Sequence, residues 1–311
     1  MKKLLSYFCM VPVVAVFLSC SNAENTSDEM SADYEMSGNM NSAVMTDDDY
    51  VEQLEAYLTT LTISDRTGGT VLPEWGKWLG VALVDAVGAL TTDSTQNRTV
   101  RTTLFSLRAY DMLFNQHLDL ETTIINILQN NAPVAPLLLP QTILSGSDSI
   151  GMYHNAMIDS VLSNPAVMQN FFEATSGEKT DITNSILISL GIGFTDSLTA
   201  EKRQEISTQA GVAERQYLIS DTYEDLASNL RSHLDDFSLS LTDVNMIILY
   251  IQALDQSGEN HYQLMNNAIN QLQLYKMSTD RRNSLRSALI VGHASYCKVH
   301  NLFDTYSSLN D

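Results

Sequence analysis

Residues 78–90 read Trp-Leu-Gly-Val-Ala-Leu-Val-Asp-Ala-Val-Gly-Ala-Leu, with Asp85 the sole charge in an otherwise apolar or glycine run. A helix that is apolar on every side belongs inside a protein core or a membrane. A permanent membrane helix needs about 20 such residues, so this run reads as a buried core helix. Pro73 is well placed at the first turn, and the helix is expected from about Pro73 to Leu90.

The same helical spacing recurs on both sides of that stretch. Asp47-Asp48-Asp49 suits a helix N-terminus, and Val51, Leu54, Tyr57, Leu58 and Leu61 follow at intervals of three and four. Further on, Ile182, Ile186 and Leu190, then Val244, Ile247, Ile248 and Ile251, repeat the pattern. Thr180-Asp181, Thr199, Thr242-Asp243 and Thr279-Asp280 are plausible N-caps. Strand-type alternation is nowhere sustained, no proline follows Pro165, and no fixed repeat marks a solenoid. The expected fold is all-α: an irregular multi-helix bundle of roughly eight to ten helices after a disordered acidic tether.

The N-terminus reads as an address. Lys2 and Lys3 precede an apolar run from Leu4 to Leu18, too short for a membrane span and typical of a secretory leader. Phe17-Leu18-Ser19-Cys20 resembles a lipoprotein cleavage site, with Phe17 standing where leucine is usual. Cys20 is then the lipid anchor, its thiol converted to a diacylglyceryl thioether. The alternative is cleavage after Ser21-Asn22-Ala23, which yields a soluble periplasmic or secreted protein. The expected domains are a signal peptide over 1–19, a lipidated flexible tether over 20–48 and one helical domain over 49–311. Pro133, Pro136 and Pro140 mark a connector over 131–141 that is a possible subdivision of that domain. The expected location is the bacterial cell envelope, in the outer membrane, through the N-terminal lipid.

Charge excludes some partners. The chain is −20 overall, and loss of the leader removes Lys2 and Lys3 and takes it to −22. A nucleic acid or an anionic lipid surface is a poor match for such a body. Cys9 leaves with the leader and Cys20 is lipidated, so Cys297 is the one thiol of the body and no intrachain disulfide forms. Met30, Met36, Met40 and Met45 are too loosely spaced for a copper box, and the tether reads as a linker.

Two groups of residues are site candidates. On a helix over about 149–163, Ile150, Tyr153, His154, Met157 and Val161 share one face. His154 therefore points to the core, with Gly151 leaving space beside it and Asn155 next to it. The functional reading is a ligand-binding or proton-transferring imidazole; the plainer one is a core histidine satisfied by its neighbours. The second group is His293, Cys297 and His300, at i, i+4 and i+7 on the last helix. It forms a boundary stripe one residue round from the apolar stripe of Leu285, Leu289, Gly292, Tyr296, Val299 and Phe303. Three ligands over two turns of one helix seldom converge on one ion, so no metal and no cofactor is assigned. His117, His233 and His261 stand alone in polar surroundings and read as solvated.

Gly151-Met152-Tyr153-His154-Asn155 carries a resemblance. It is similar to a family of uncharacterised Bacteroidetes lipoproteins and secreted proteins that share a Gly-x-x-His-Asn helix. An upstream Asp-Ala-x-Gly-Ala element is matched by Asp85-Ala86-Val87-Gly88-Ala89, and an alanine- and serine-rich terminal helix by Ser287-Ala288 through Ser295-Tyr296. The glycine-rich segment that follows in many relatives is replaced here by Thr91-Thr92-Asp93-Ser94. The match covers three short stretches, and it implies a compartment and an all-α body but no mechanism. On sequence alone the leading reading is a lipid-anchored envelope protein that is structural or binds a protein or small molecule. The alternative is an envelope enzyme or metal-binding protein using His154/Asn155 or His293/Cys297/His300.

Overall fold

The computed structural model describes residues 45–63, 73–116, 149–190 and 198–310. The leader, Cys20, the tether up to residue 44, the proline-rich segment 131–141 and His117 lie outside the described residues. Every regular element among them is helical: α1 (Asp47–Ile63), α2 (Pro73–Ala89), α3 (Thr95–Gln116), α4 (Ile150–Leu162), α5 (Pro165–Glu173), α6 (Ser176–Ser189), α7 (Ala200–Ile219), α8 (Tyr223–Arg231), the single turn α9 (Leu234–Phe237), α10 (Leu241–Ser257), α11 (His261–Leu274) and α12 (Thr279–Asn310). A 3-10 turn, Gly258–Asn260, joins α10 to α11. The bundle is all-α, as the periodicity predicts, with eleven helices longer than one turn among the described residues.

Helix α2 is the axis of the fold. From Trp75 to Leu90 every residue except Lys77 is buried. It packs against α12, α3 and α10, with α8 and α7 at its edges. This is the burial that an all-round apolar helix requires. Helix α12 is the second axis, buried without a break from Ser287 to Tyr296 and surrounded by α2, α4, α10 and α11. Gly292 allows the two axes to close together. A Cβ there would lie 2.9 Å from Ile251 Cδ1 on α10 and 3.1 Å from Ala86 Cβ on α2. Residues 44–311 form one compact unit, in which helices from both sides of segment 131–141 pack on each other.

Local capping chemistry sets where helices begin. Asn164 accepts from the Ala166 and Val167 amides ahead of Pro165, so one dipeptide ends α4 and starts α5. Thr175 and Glu178 form a reciprocal capping box on α6, as Thr222 and Asp225 do on α8. Thr199 caps α7 as expected. Three expected caps move. Thr279 is the first residue of α12, and Ser278, whose carbonyl accepts from the Arg282 amide at 3.0 Å, stands at its cap position. Thr180 lies inside α6, where its hydroxyl donates back to the Ser176 carbonyl at 3.2 Å. Ser240, not Thr242, caps α10 by accepting from the Asp243 amide at 3.1 Å. Threonine suits both a cap and a back-bonded helical position, and the upstream hydroxyl decides between them.

Candidate metal centre and the buried carboxylate

Three separate sequence elements meet at Asp85. Its carboxylate, 0% exposed, sits on α2 facing α3, α4 and α12. Ser106 Oγ donates to Asp85 Oδ2 at 2.9 Å and Ser295 Oγ at 2.5 Å. His154 Nε2 lies 3.2 Å from the same oxygen without hydrogen-bond alignment. The other ring nitrogen, Nδ1, faces Asn155 Oδ1 at 3.0 Å, and Asn155 Nδ2 donates to the Ala294 carbonyl at 3.0 Å. Gly151 permits this approach, since a Cβ there would stand 3.0 Å from Ile290 Cγ2 and 3.1 Å from Ala294 Cβ. His154 thus points to the core, as its helix face predicts, and so does its glycine neighbour. Its position is that of a core histidine held by a carboxylate and a carboxamide. Neither of the surface depressions described below is lined by these residues.

The second group forms a different set from the one the sequence suggests. His293 and Cys297 do face the same point, but His300 turns away to pair with Asp304 at 2.9 Å. The third member is His261, the first residue of α11. His261 Nδ1 lies 2.8 Å from His293 Nε2, and Cys297 Sγ lies 3.8 Å and 3.7 Å from those two nitrogens. These separations enclose a point roughly 2 Å from each atom, close to zinc–nitrogen and slightly under zinc–sulfur bond lengths. Helix geometry explains the convergence. The i, i+4 spacing places His293 and Cys297 on one face of α12, and α11 crosses that face with its N-terminal residue.

Aromatic packing fixes the rings. The Tyr262 ring lies 4.5 Å from that of His261 and 4.8 Å, edge-on, from that of His293. The Tyr296 ring lies 5.7 Å from that of His261. His293 is fully buried and its Nδ1 meets no hydrogen-bond partner among the described residues. Burial, reinforced by His261, drives the His293 pKa down to about 3. Burial also lowers His261, with a smaller push from His300. The Cys297 thiol is pushed up to about 12 by burial. Without a cation, the cluster at neutral pH is two neutral imidazoles and a neutral thiol. That is a poor nucleophile, because attack needs thiolate, and a good metal site, because both nitrogens offer lone pairs and a cation displaces the thiol proton.

The cluster opens to solvent on one side. A pocket of about 330 Å³ is lined by His261, Cys297, Tyr262, Tyr296, Glu259 and His300, among others, while His293 closes its back. A larger cleft of about 540 Å³ lies elsewhere, over the loop after α2. Its cations are already spoken for: Arg101 pairs with Asp93 and Glu205, Lys202 with the same two acids, and Arg281 with Asp48 and Asp243. It is a charge network that ties α1, α3, α7, α10 and α12, not a free anion site.

His261 is the residue that sequence reasoning passed over as solvated. His233, read the same way, instead faces the Asn229 carbonyl and Gln216. The signal that points to His261 is chemical: a His-x-x-x-Cys pair on one helix is two ligands short of a tetrahedral site, and a lone histidine at the start of the adjoining helix is where a third can come from. Compared with known protein families, curated proteins and solved structures, the chain matches none.

Proposed function

We propose that this chain is an exported, lipid-anchored envelope protein whose helical body binds one transition-metal ion of the zinc class through His261, His293 and Cys297. The observation that carries the reading is the triangle of two imidazole nitrogens and one sulfur, with sides of 2.8, 3.7 and 3.8 Å, assembled from two helices. Borderline and soft cations choose that donor set, whereas calcium and magnesium choose oxygen. Cys20 is the anchor on this reading, holding the body at the outer membrane. Among the described residues no helix is long and apolar enough to cross a membrane, which is compatible with an anchor of this kind and equally with a soluble periplasmic body.

The test is metal content. The full chain, purified without chelator and dialysed against equimolar zinc and copper(I) under reducing conditions, is expected to retain about one equivalent of metal. His261→Ala and Cys297→Ser are the variants of choice, because both residues are only half-buried and their loss leaves the core intact. Each is expected to lose at least tenfold in affinity with an unchanged circular dichroism spectrum. Less than ~0.1 equivalent in the parent chain, with the fold intact, removes the reading.

A further inference from the structure

We infer that the metal bound by His261, His293 and Cys297 keeps one coordination position open toward the 330 Å³ pocket, and that this position takes a small oxygen-anion donor such as a carboxylate or hydroxamate. This rests on the metal-binding reading and goes further, because it assigns the site a ligand. Structural zinc sites are closed by four protein ligands, while sites with three leave the fourth for water or substrate. Here the three donor atoms are the whole set among the described residues: no further histidine, cysteine or carboxylate reaches the same point.

The placement of the three donors decides which way the vacant position faces. His293 is fully buried and lies behind the ion, whereas His261 and Cys297 form part of the pocket wall. An ion held by all three sits at the pocket floor with its fourth position outward. The protein groups nearest to filling it are otherwise placed. His300 is paired with Asp304 at 2.9 Å and lies edge-on to the Trp75 ring at 5.5 Å. Asp255 accepts from Trp75 Nε1 at 2.7 Å. Glu259 stands exposed at the rim, outside the donor triangle.

Charge and wall chemistry then set the ligand class. A divalent ion with one thiolate and two neutral imidazoles keeps net positive charge, so an anionic fourth ligand is favoured. The pocket wall adds the hydroxyl-bearing rings of Tyr262 and Tyr296, groups able to donate to an oxygen anion. Its volume admits a small acyl or hydroxamate group and not a folded partner.

Cobalt(II) substitution of the full chain tests this with acetohydroxamate as the probe. The expected spectrum has a near-ultraviolet thiolate-to-cobalt band, absent in Cys297→Ser, and visible d–d bands that shift saturably as acetohydroxamate is added. Glu259→Gln is expected to leave both the resting spectrum and the titration unchanged. A thiolate band with d–d bands indifferent to acetohydroxamate overturns the open position while metal binding stands. A resting spectrum altered by Glu259→Gln overturns it too, because Glu259 is then the fourth ligand. Absence of the thiolate band removes the metal reading itself, and this inference with it.

Discussion

His261 Nδ1 and His293 Nε2 lie 2.8 Å apart although 32 positions separate them in the chain. Neither ring is exposed enough to titrate as a free histidine, and burial lowers both pKa values. Two neutral nitrogens facing each other share one proton or one cation. Cys297 Sγ, near both, makes the cation the better occupant.

Metal uptake is expected to release one proton. At pH 7.5 the two imidazoles are already neutral, and the Cys297 thiol, pushed up to about 12, is still protonated. Binding converts it to thiolate. Calorimetric enthalpies measured in buffers of different ionisation heat are expected to give a slope near one proton for the parent chain, and near zero for Cys297→Ser.

The metal-free body is expected to lose stability as pH falls below neutral. The folded-state pKa of His293, about 3, lies below its ordinary value of 6.5. Between those values the unfolded chain holds more protons than the folded one, so stability drops as pH decreases from about 6.5 toward 3. The slope from this residue is at most about 1.4 kcal/mol per pH unit. Urea midpoints at pH 7 and pH 5 read it, and His293→Gln is expected to flatten the difference. Above pH 9 the raised Cys297 pKa acts in the opposite direction: the folded state then holds the extra proton, and stability falls as pH rises.

At the other polar centre, Asp85→Ala is expected to cost about 1–3 kcal/mol, since it leaves the Ser106 and Ser295 hydroxyls without their acceptor in the core. Asp85→Asn keeps an acceptor for Ser106 and Ser295 and is expected to cost less. Metal content is expected to be unchanged in whichever variant folds, which separates the two centres.

Overpacking at the crossing of the two axes is a third structural test. Gly292→Val is expected to destabilise by about 1–3 kcal/mol, because its side chain meets Ile251 and Ala86. Gly177→Ala, whose Cβ meets nothing within 4 Å, is expected to be neutral or to stabilise by up to about 1 kcal/mol. Thermal melts of both variants compare them directly.

Mass spectrometry of the mature N-terminus tests the anchor. A diacylglyceryl group on Cys20 is expected; a free amine on Glu24 instead makes the protein soluble and secreted.

Helix α2 was readable from sequence because its hydrophobicity is continuous: a run with no wet face has one place to go. Helix α12 was harder. Its apolar stripe implies a wet face, and His293 was placed at the boundary on that ground. The structure surrounds α12 with four helices and buries Ser287, His293, Ser295 and Lys298 by giving each a polar neighbour: Arg98, His261, Asp85 and Asp159. Periodicity records apolar residues and is blind to polar ones neutralised in pairs. The burial of His154 is legible because its own helix has one apolar face. That of His261 is not, because it opens a helix after the polar run Ser257-Gly258-Glu259-Asn260, where nothing local distinguishes a ligand from a solvated ring. The donor triangle is split along the chain because its two halves belong to different helices, α11 and α12.

The position of α12 in the chain has a consequence for how the body forms. It follows every other described helix, yet it supplies a wall to Asp85, two of the three members of the His261–His293–Cys297 cluster and the glycine on which the axes cross. A growing chain therefore carries the α12-facing side of α2 without its partner until the residues from Thr279 onward are made. Until α12 is made, the face of α2 that packs on it has no cover and Asp85 lacks Ser295. Removal of α12 is therefore expected to leave the other described helices without a closed core.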